Sequence, residues 1–260
     1  MRGWTAHGAC RRKSPQPDLA TDAPRRVSSA LSITLEPVLP LFHAGPAPKA
    51  SGPRRGALRD GLGLQPGMRV GLFGGSFNPA HDGHLHVAET ALARLGLDRV
   101  VWLVSPQNPL KNAADSAPLA DRMASAAAVA HGPSMIVSDF ETRAGTSWTI
   151  DTLRVLVARH PDVSFVWLMG SDNLAGFHRW RGWSDIMRLM PVAVIARPGS
   201  LLDSRTAPGA QRFARFRVPA AQARLLPRLA APAWTYLTAP LNHRSSTAIR
   251  AARDARDADG

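Results

Sequence analysis

The feature that most restricts the fold begins at Met68, where six short apolar runs recur along the chain with helix-patterned stretches among them. The runs are "RVGLFG" (69–74), "RVVWLVS" (99–105), "SMIVS" (134–138), "VSFVWLMG" (163–170), "PVAVIARP" (191–198) and "AWTYLTA" (233–239). Their length and β-branched content are those of buried strands. A helix is expected from Gly83 to Leu95, with Leu85, Ala88, Leu92 and Leu95 on one face. Others are expected over 118–130 and over 146–160, the last opened by Thr146 or Ser147 as N-cap. Strands that are apolar throughout are buried on both faces, so the alternation predicts an α/β fold, a mostly parallel sheet flanked by helices. Ligands of such sheets sit beyond the carboxyl ends of the strands, often at helix N-termini.

Residues 1–66 mix Pro, Arg, Ala, Ser and Gly with no sustained period, which predicts a disordered extension before a single domain over 67–252 and a short tail over 253–260. Met68 directly precedes the first strand, so a start of translation there or slightly upstream is an alternative reading of the extension. The formal charge of +13 raises the question of nucleic acid. Its distribution argues against that partner: residues 1–67 hold ten Lys/Arg against four Asp/Glu, and only three of the chain's cations are Lys. The stretch 205–228 is Arg-rich, contains no acidic residue and is expected to be a solvated insertion. One cysteine, Cys10, excludes an internal disulfide framework and a thiolate metal cluster and fits a reducing cytoplasm. The early apolar run from Ala30 is broken by Glu36, Pro37 and Pro40, so no membrane span is expected.

Between the first strand and its helix lies "GGSFNPAHDGH" (74–84). No Gly-Lys-Ser/Thr occurs, which excludes a P-loop, and "GLGLQPG" (61–67) precedes the strand instead of following it, which excludes a dinucleotide fingerprint. Gly74, Gly75 and Ser76 are expected to form a loop whose glycines, lacking a Cβ, admit a ligand close to the backbone. His81 and His84 are three apart, so with His84 in the first turn both rings can face one anion at the positive end of the helix. Taken singly, each histidine could equally be a solvated turn residue.

The combination resembles the signature of the His-x-Gly-His nucleotidyltransferases, and "RSSTAIR" (244–250) resembles their second signature, Ser-Ser/Thr-Thr-x-x-Arg. The middle of the chain narrows the likeness: "AGTSWTIDTL" (144–153) and "LMGSDNLAGFHRW" (168–180) are similar to segments of the bacterial nicotinate-nucleotide adenylyltransferases. The resemblance spans about residues 68–252 and implies a Rossmann-like, doubly wound sheet. It implies transfer of adenylate from ATP to nicotinate mononucleotide, with Mg²⁺ delivered by ATP. His81, His84 and Arg250 become the catalytic candidates. Gly74, Gly75, Ser76, Phe77, Gly170, Asp172, Ser245, Ser246 and Thr247 become candidates for ATP. Asn78, Lys111, Thr146, Trp148, Thr149 and Trp180 become candidates for the mononucleotide. In the family the pyridine carboxylate meets backbone amides at positions matching Trp148 and Thr149, an aromatic matching Trp180 stacks on the ring, and the match of Asp172 binds a ribose. Read from residues alone, Trp148 and Trp180 could be core or rim aromatics, and Asp172 a helix cap.

The chain departs from the pattern at Asn78, where many members carry Asp, and in "SPQNPLK" (105–111), which lacks a histidine often found before the basic residue. Pantetheine-phosphate and nicotinamide-mononucleotide adenylyltransferases are the neighbouring readings. A class I aminoacyl-tRNA synthetase would need a lysine-rich second signature. A basic RNA-binding module is the reading from another class, and it leaves the ordered motifs unexplained.

Overall fold

The computed structural model describes residues 60–106, 116–196 and 206–238. All of them fall in one compact unit of the chain, within Pro40–Gly260. The six apolar runs form strands: β1 Arg69–Gly75, β2 Arg99–Val104, β3 Met135–Ser138, β4 Ser164–Gly170, β5 Val192–Ile195 and β7 Trp234–Leu237. A further short strand, β6 Arg217–Val218, precedes the last. The sheet order is β3-β2-β1-β4-β5-β7-β6, and every pairing is parallel. From β1 the chain steps outward to β2 and β3, then returns to the other side of β1 as β4. The winding therefore reverses between β1 and β4, the place where sheets of this kind receive ligands beyond the carboxyl ends of their strands.

Period-2 alternation divides the two cores. Val70 and Leu72 of β1 face one layer with Trp167, Leu153 and Phe177. Phe73 faces the other, with Val87, Ala91, Trp102 and Ile195. Helices α1 (Asp82–Leu95) and α2 (Leu119–Val129) cover the second layer. The first is covered by α3 (Phe140–Ala144), α4 (Thr149–Arg159), α5 (Ser171–Gly176), α6 (Trp183–Leu189) and α7 (Pro208–Arg212). The sheet is thus doubly wound and Rossmann-like. Among the described residues no helix is long and apolar enough to cross a membrane.

Three expectations require correction. The extension is expected to run over 1–66, yet Leu62 and Leu64 are buried in the first core layer, and Asp60 accepts a hydrogen bond from Leu62 N–H and pairs with the buried His160 ring. Arg143 donates to Asp60 O and Arg99 to Leu62 O and Gly63 O, so segment 60–67 straps the domain. Residues 1–59 and 239–260 lie outside the described residues. The Arg-rich stretch is not a solvated insertion over 206–228: Ala207, Phe213, Val218, Ala223 and Leu226 are buried. Its arginines stay exposed by lying over aromatic rings, Arg212 on Trp183 and Arg217 on Trp234. Finally, α4 starts at Thr149 with Trp148 as N-cap, because the Thr146 hydroxyl bonds to Thr152 and Glu141 O instead of capping.

Candidate active site

The site is built where β1 ends. The strand runs through Gly75, so Gly74 and Gly75 belong to the sheet and not to the loop. A Cβ on Gly74 would lie 2.4 Å from the Trp167 ring. The glycine is therefore required by an indole crossing from β4, a different reason from ligand access. Trp167 in turn meets Trp180 edge-on at 6.3 Å, which joins β1, β4 and the segment after α5 into one wall.

After Gly75 the backbone turns through Phe77, a non-glycine residue at φ +46°. A left-handed Phe persists only when its surroundings over-determine it. Here its ring is buried against Phe73, Trp102 and His84, with centroids at 5.4, 5.1 and 5.1 Å. Phe77 can thus offer a ligand its backbone, not its ring. Asn78 Oδ1 accepts from Ala117 N–H at 3.4 Å, and Ser125 Oγ accepts from Ala80 N–H at 2.9 Å.

His81 is the N-cap of α1 and His84 its third residue. Gly83 N–H donates to His81 Nδ1 at 3.0 Å, and His81 N–H donates to His84 Nδ1 at 3.3 Å. This is a capping box made of two imidazoles in place of the usual hydroxyl and carboxylate. Because both Nδ1 atoms accept, each neutral ring carries its proton on Nε2. The rings lie 4.0 Å apart between centroids, beside the positive end of a 14-residue helix. Such a pair donates hydrogen bonds to an anion without first being protonated.

Across the reversal point, β4 ends at Gly170, the N-cap of α5. Ser171 is buried, and Asp172 is exposed in the first turn and is not the cap. Trp148 is half-buried, and the Arg181 guanidinium lies 5.3 Å from its ring centre. Arg181 follows Trp180 directly, so the two tryptophan-bearing segments are held together by a stacking cation. Below them Thr146 Oγ1 and Thr152 Oγ1 are 2.8 Å apart, and Thr152 also donates to Trp148 O. The same hydroxyl bonds the carboxyl of Glu141, whose burial pushes its pKa up to about 7 against that bond. Lys111, Ser245, Ser246, Thr247 and Arg250 lie outside the described residues.

Sequence reasoning missed Arg122, Ser125, Glu141, Thr152 and Arg181. Arg122 carries no local sequence signal: that it stands with Ala126 on the buried side of an Ala-rich helix is visible only in the fold. Among the described residues no cluster of three His, Cys, Asp or Glu side chains could hold a metal ion.

Residues 72–252 match the cytidylyltransferase-like family. A relative from Caulobacter sp. (strain K31), named "probable nicotinate-nucleotide adenylyltransferase", is 64% identical over 183 residues, which span 70% of this chain and 97% of the relative. The chain belongs to the nicotinate-nucleotide adenylyltransferase family. A relative of the same name from Methylorubrum extorquens is 55% identical, over 70% of this chain and 99% of its own. Among solved structures, Plasmodium falciparum nicotinic acid mononucleotide adenylyltransferase complexed with NaAD matches with a TM-score of 0.55. That match covers 70% of this chain and 82% of the parasite chain at 15% identity, a likeness of fold. Membership of this family makes the chain a nucleotidyltransferase, an enzyme of NAD biosynthesis.

Proposed function

We propose that the protein joins ATP and nicotinate mononucleotide to give nicotinate adenine dinucleotide and pyrophosphate. The observation that carries this reading is the imidazole capping box at the end of β1, beside the point where the sheet's winding reverses. It directs donors toward an anion at a helix N-terminus, which is what a reacting triphosphate requires.

The 5′-phosphate of the mononucleotide has a second pKa of about 6, so at neutral pH it attacks without a protein base. Its oxygen bonds to the α-phosphorus of ATP as the bond to the leaving pyrophosphate breaks. The work left to the protein is to hold two anions in line and to stabilise charge gathering on the bridging oxygen. His81 and His84 contact the phosphates around the α-phosphorus. The backbone of Gly74 to Phe77 and of Gly170 lies along the ATP, Asp172 takes a ribose, and Ser245, Ser246, Thr247 and Arg250 hold the β- and γ-phosphates. Mg²⁺ enters as the ATP complex.

The mononucleotide lies on the tryptophan side. The first amides of α4, at Trp148 and Thr149, are helix-start donors with no intrahelical acceptor and suit a carboxylate. Trp180 stacks on the pyridine, Thr146 supports the α4 turn, and Lys111 and Asn78 serve the sugar-phosphate end. Asn78 already uses its carbonyl oxygen on Ala117 N–H, a bond that an Asp would make equally well. What Asn changes is charge: it leaves the loop without an anion beside two anionic substrates. The test is product identification by mass after incubation with ATP, Mg²⁺ and nicotinate mononucleotide. Nicotinate adenine dinucleotide with equimolar pyrophosphate supports the reading; ATP left intact contradicts it.

A further inference from the structure

We propose that Arg122 and Ser125 of α2 are positioning residues for the adenylyl transfer, setting the backbone that carries His81 and His84. The inference rests on the function proposed above for those histidines. Arg122 is only 2% exposed and donates to four backbone carbonyls. Nε reaches Ala117 O at 2.9 Å, Nη1 reaches Ser76 O at 2.9 Å and Ser105 O at 2.6 Å, and Nη2 reaches Pro106 O at 2.6 Å. These acceptors belong to three segments: the turn after β1, the end of β2 and the lead into α2.

A buried guanidinium that meets carbonyl dipoles is an expensive way to gain stability, since well-packed apolar side chains of similar volume often do as well. Its burial also lowers its pKa, a sign of that desolvation. What the planar fork supplies is direction, fixing several acceptors relative to one plane. Ser125, three residues along the helix, takes the Ala80 N–H, the last amide before His81. Asn78 is tied to Ala117 between them. The turn 76–80 is thus pinned at Ser76 O, Asn78 Oδ1 and Ala80 N, all from the α2 side. Both ends of the strained Phe77 turn are fixed this way, and with them the entry angle of His81 into its cap.

The test uses Ser125→Ala, Ser125→Thr and Arg122→Lys in the full chain. Steady-state kinetics, thermal melting and long-range ¹⁵N–¹H correlation of the histidine rings are measured for each. Ser125→Ala should lower kcat by at least about tenfold, as expected for a small misplacement of catalytic groups, while KM for ATP moves by less than about twofold. Ser125→Thr, which keeps the accepting hydroxyl, should restore kcat. Arg122→Lys should lose kcat at least as strongly as Ser125→Ala. In a His84→Ala background Ser125→Ala should cost little more, because a positioning residue acts through the group it positions. Variants that melt lower but keep kcat per folded molecule overturn the proposal, as does an undiminished loss in the His84→Ala background. If the wild type fails to transfer adenylate, the functional reading fails while the ring signals still decide this one. Displaced His81 and His84 signals in Ser125→Ala and Arg122→Lys support the brace, and unmoved signals overturn it.

Discussion

His81 accepts Gly83 N–H through Nδ1, so whatever it gives a substrate it gives through Nε2. The two duties can be separated by substitution. Asn is among the best N-cap residues, so His81→Asn should keep the start of α1 and a stability within about 1 kcal/mol of the wild type. It should still lose about 10²-fold or more in kcat, the usual cost of one transition-state donor. His84→Ala should lose turnover similarly without loss of fold, since His84 is half-buried and its packing partners Phe73, Phe77 and Trp102 remain together. Near-normal kcat in either variant contradicts a role at the phosphates. The spacing places these histidines at a helix start, but it does not reveal that they cap that helix with each other. Nor does it reveal Arg122, because a charged side chain in a helix reads as solvent-facing until its acceptors are known. Those acceptors come from three separate segments, and no local pattern announces them.

Among single elements, α3 holds the most consequential ionisable group outside the histidines. The Glu141 carboxyl is raised by burial from an ordinary 4.5 to about 7, partly offset by its bond to Thr152. Between those two values the folded protein keeps a proton that the unfolded chain has lost. Its contribution to stability therefore falls as pH rises from about 4.5 to about 7 and is level above that. Glu141→Gln, which does not titrate, should gain on the wild type by up to about 3 kcal/mol across that window. Denaturant midpoints on either side of the window check this, and a difference that does not change with pH contradicts it. The elements themselves are unequally legible. Six strands announce themselves as apolar runs, whereas β6 is two residues inside an Arg-rich stretch, fixed where Thr235 Oγ1 donates to Val218 O. The start of α4 departs from expectation because Thr146 and Ser147 are strong caps by propensity, and a tertiary network claims the Thr146 hydroxyl.

For the whole domain, the strap over 60–67 matters beyond its length. Its glycines and proline read as linker, and Gly61, Gly63 and Gly67 do adopt left-handed φ, but Leu62 and Leu64 between them are core residues. Burying each leucine contributes about 1.5–3 kcal/mol. A chain beginning at Met68 should therefore unfold at least about 3 kcal/mol more easily than one beginning before Asp60, and it also leaves the buried His160 without Asp60. Equal denaturant midpoints for the two chains would show that the strap is dispensable. The sheet order is accessible in outline from strand and helix alternation, since parallel strands joined by helices leave few topologies open. The two sides of the reversal point follow from it, with histidines at the end of β1 and tryptophans at the start of α4 and after α5. The proposed reaction requires the first side to hold a triphosphate and the second a carboxylated pyridine nucleotide. Both requirements meet in one comparison, kcat/KM for nicotinate against nicotinamide mononucleotide at saturating ATP and Mg²⁺. Pyrophosphate release should be at least about tenfold more efficient with the nicotinate form, because helix-start amides favour an anion. No release with nicotinate mononucleotide, or a preference for the amide, would contradict this assignment of the two sides.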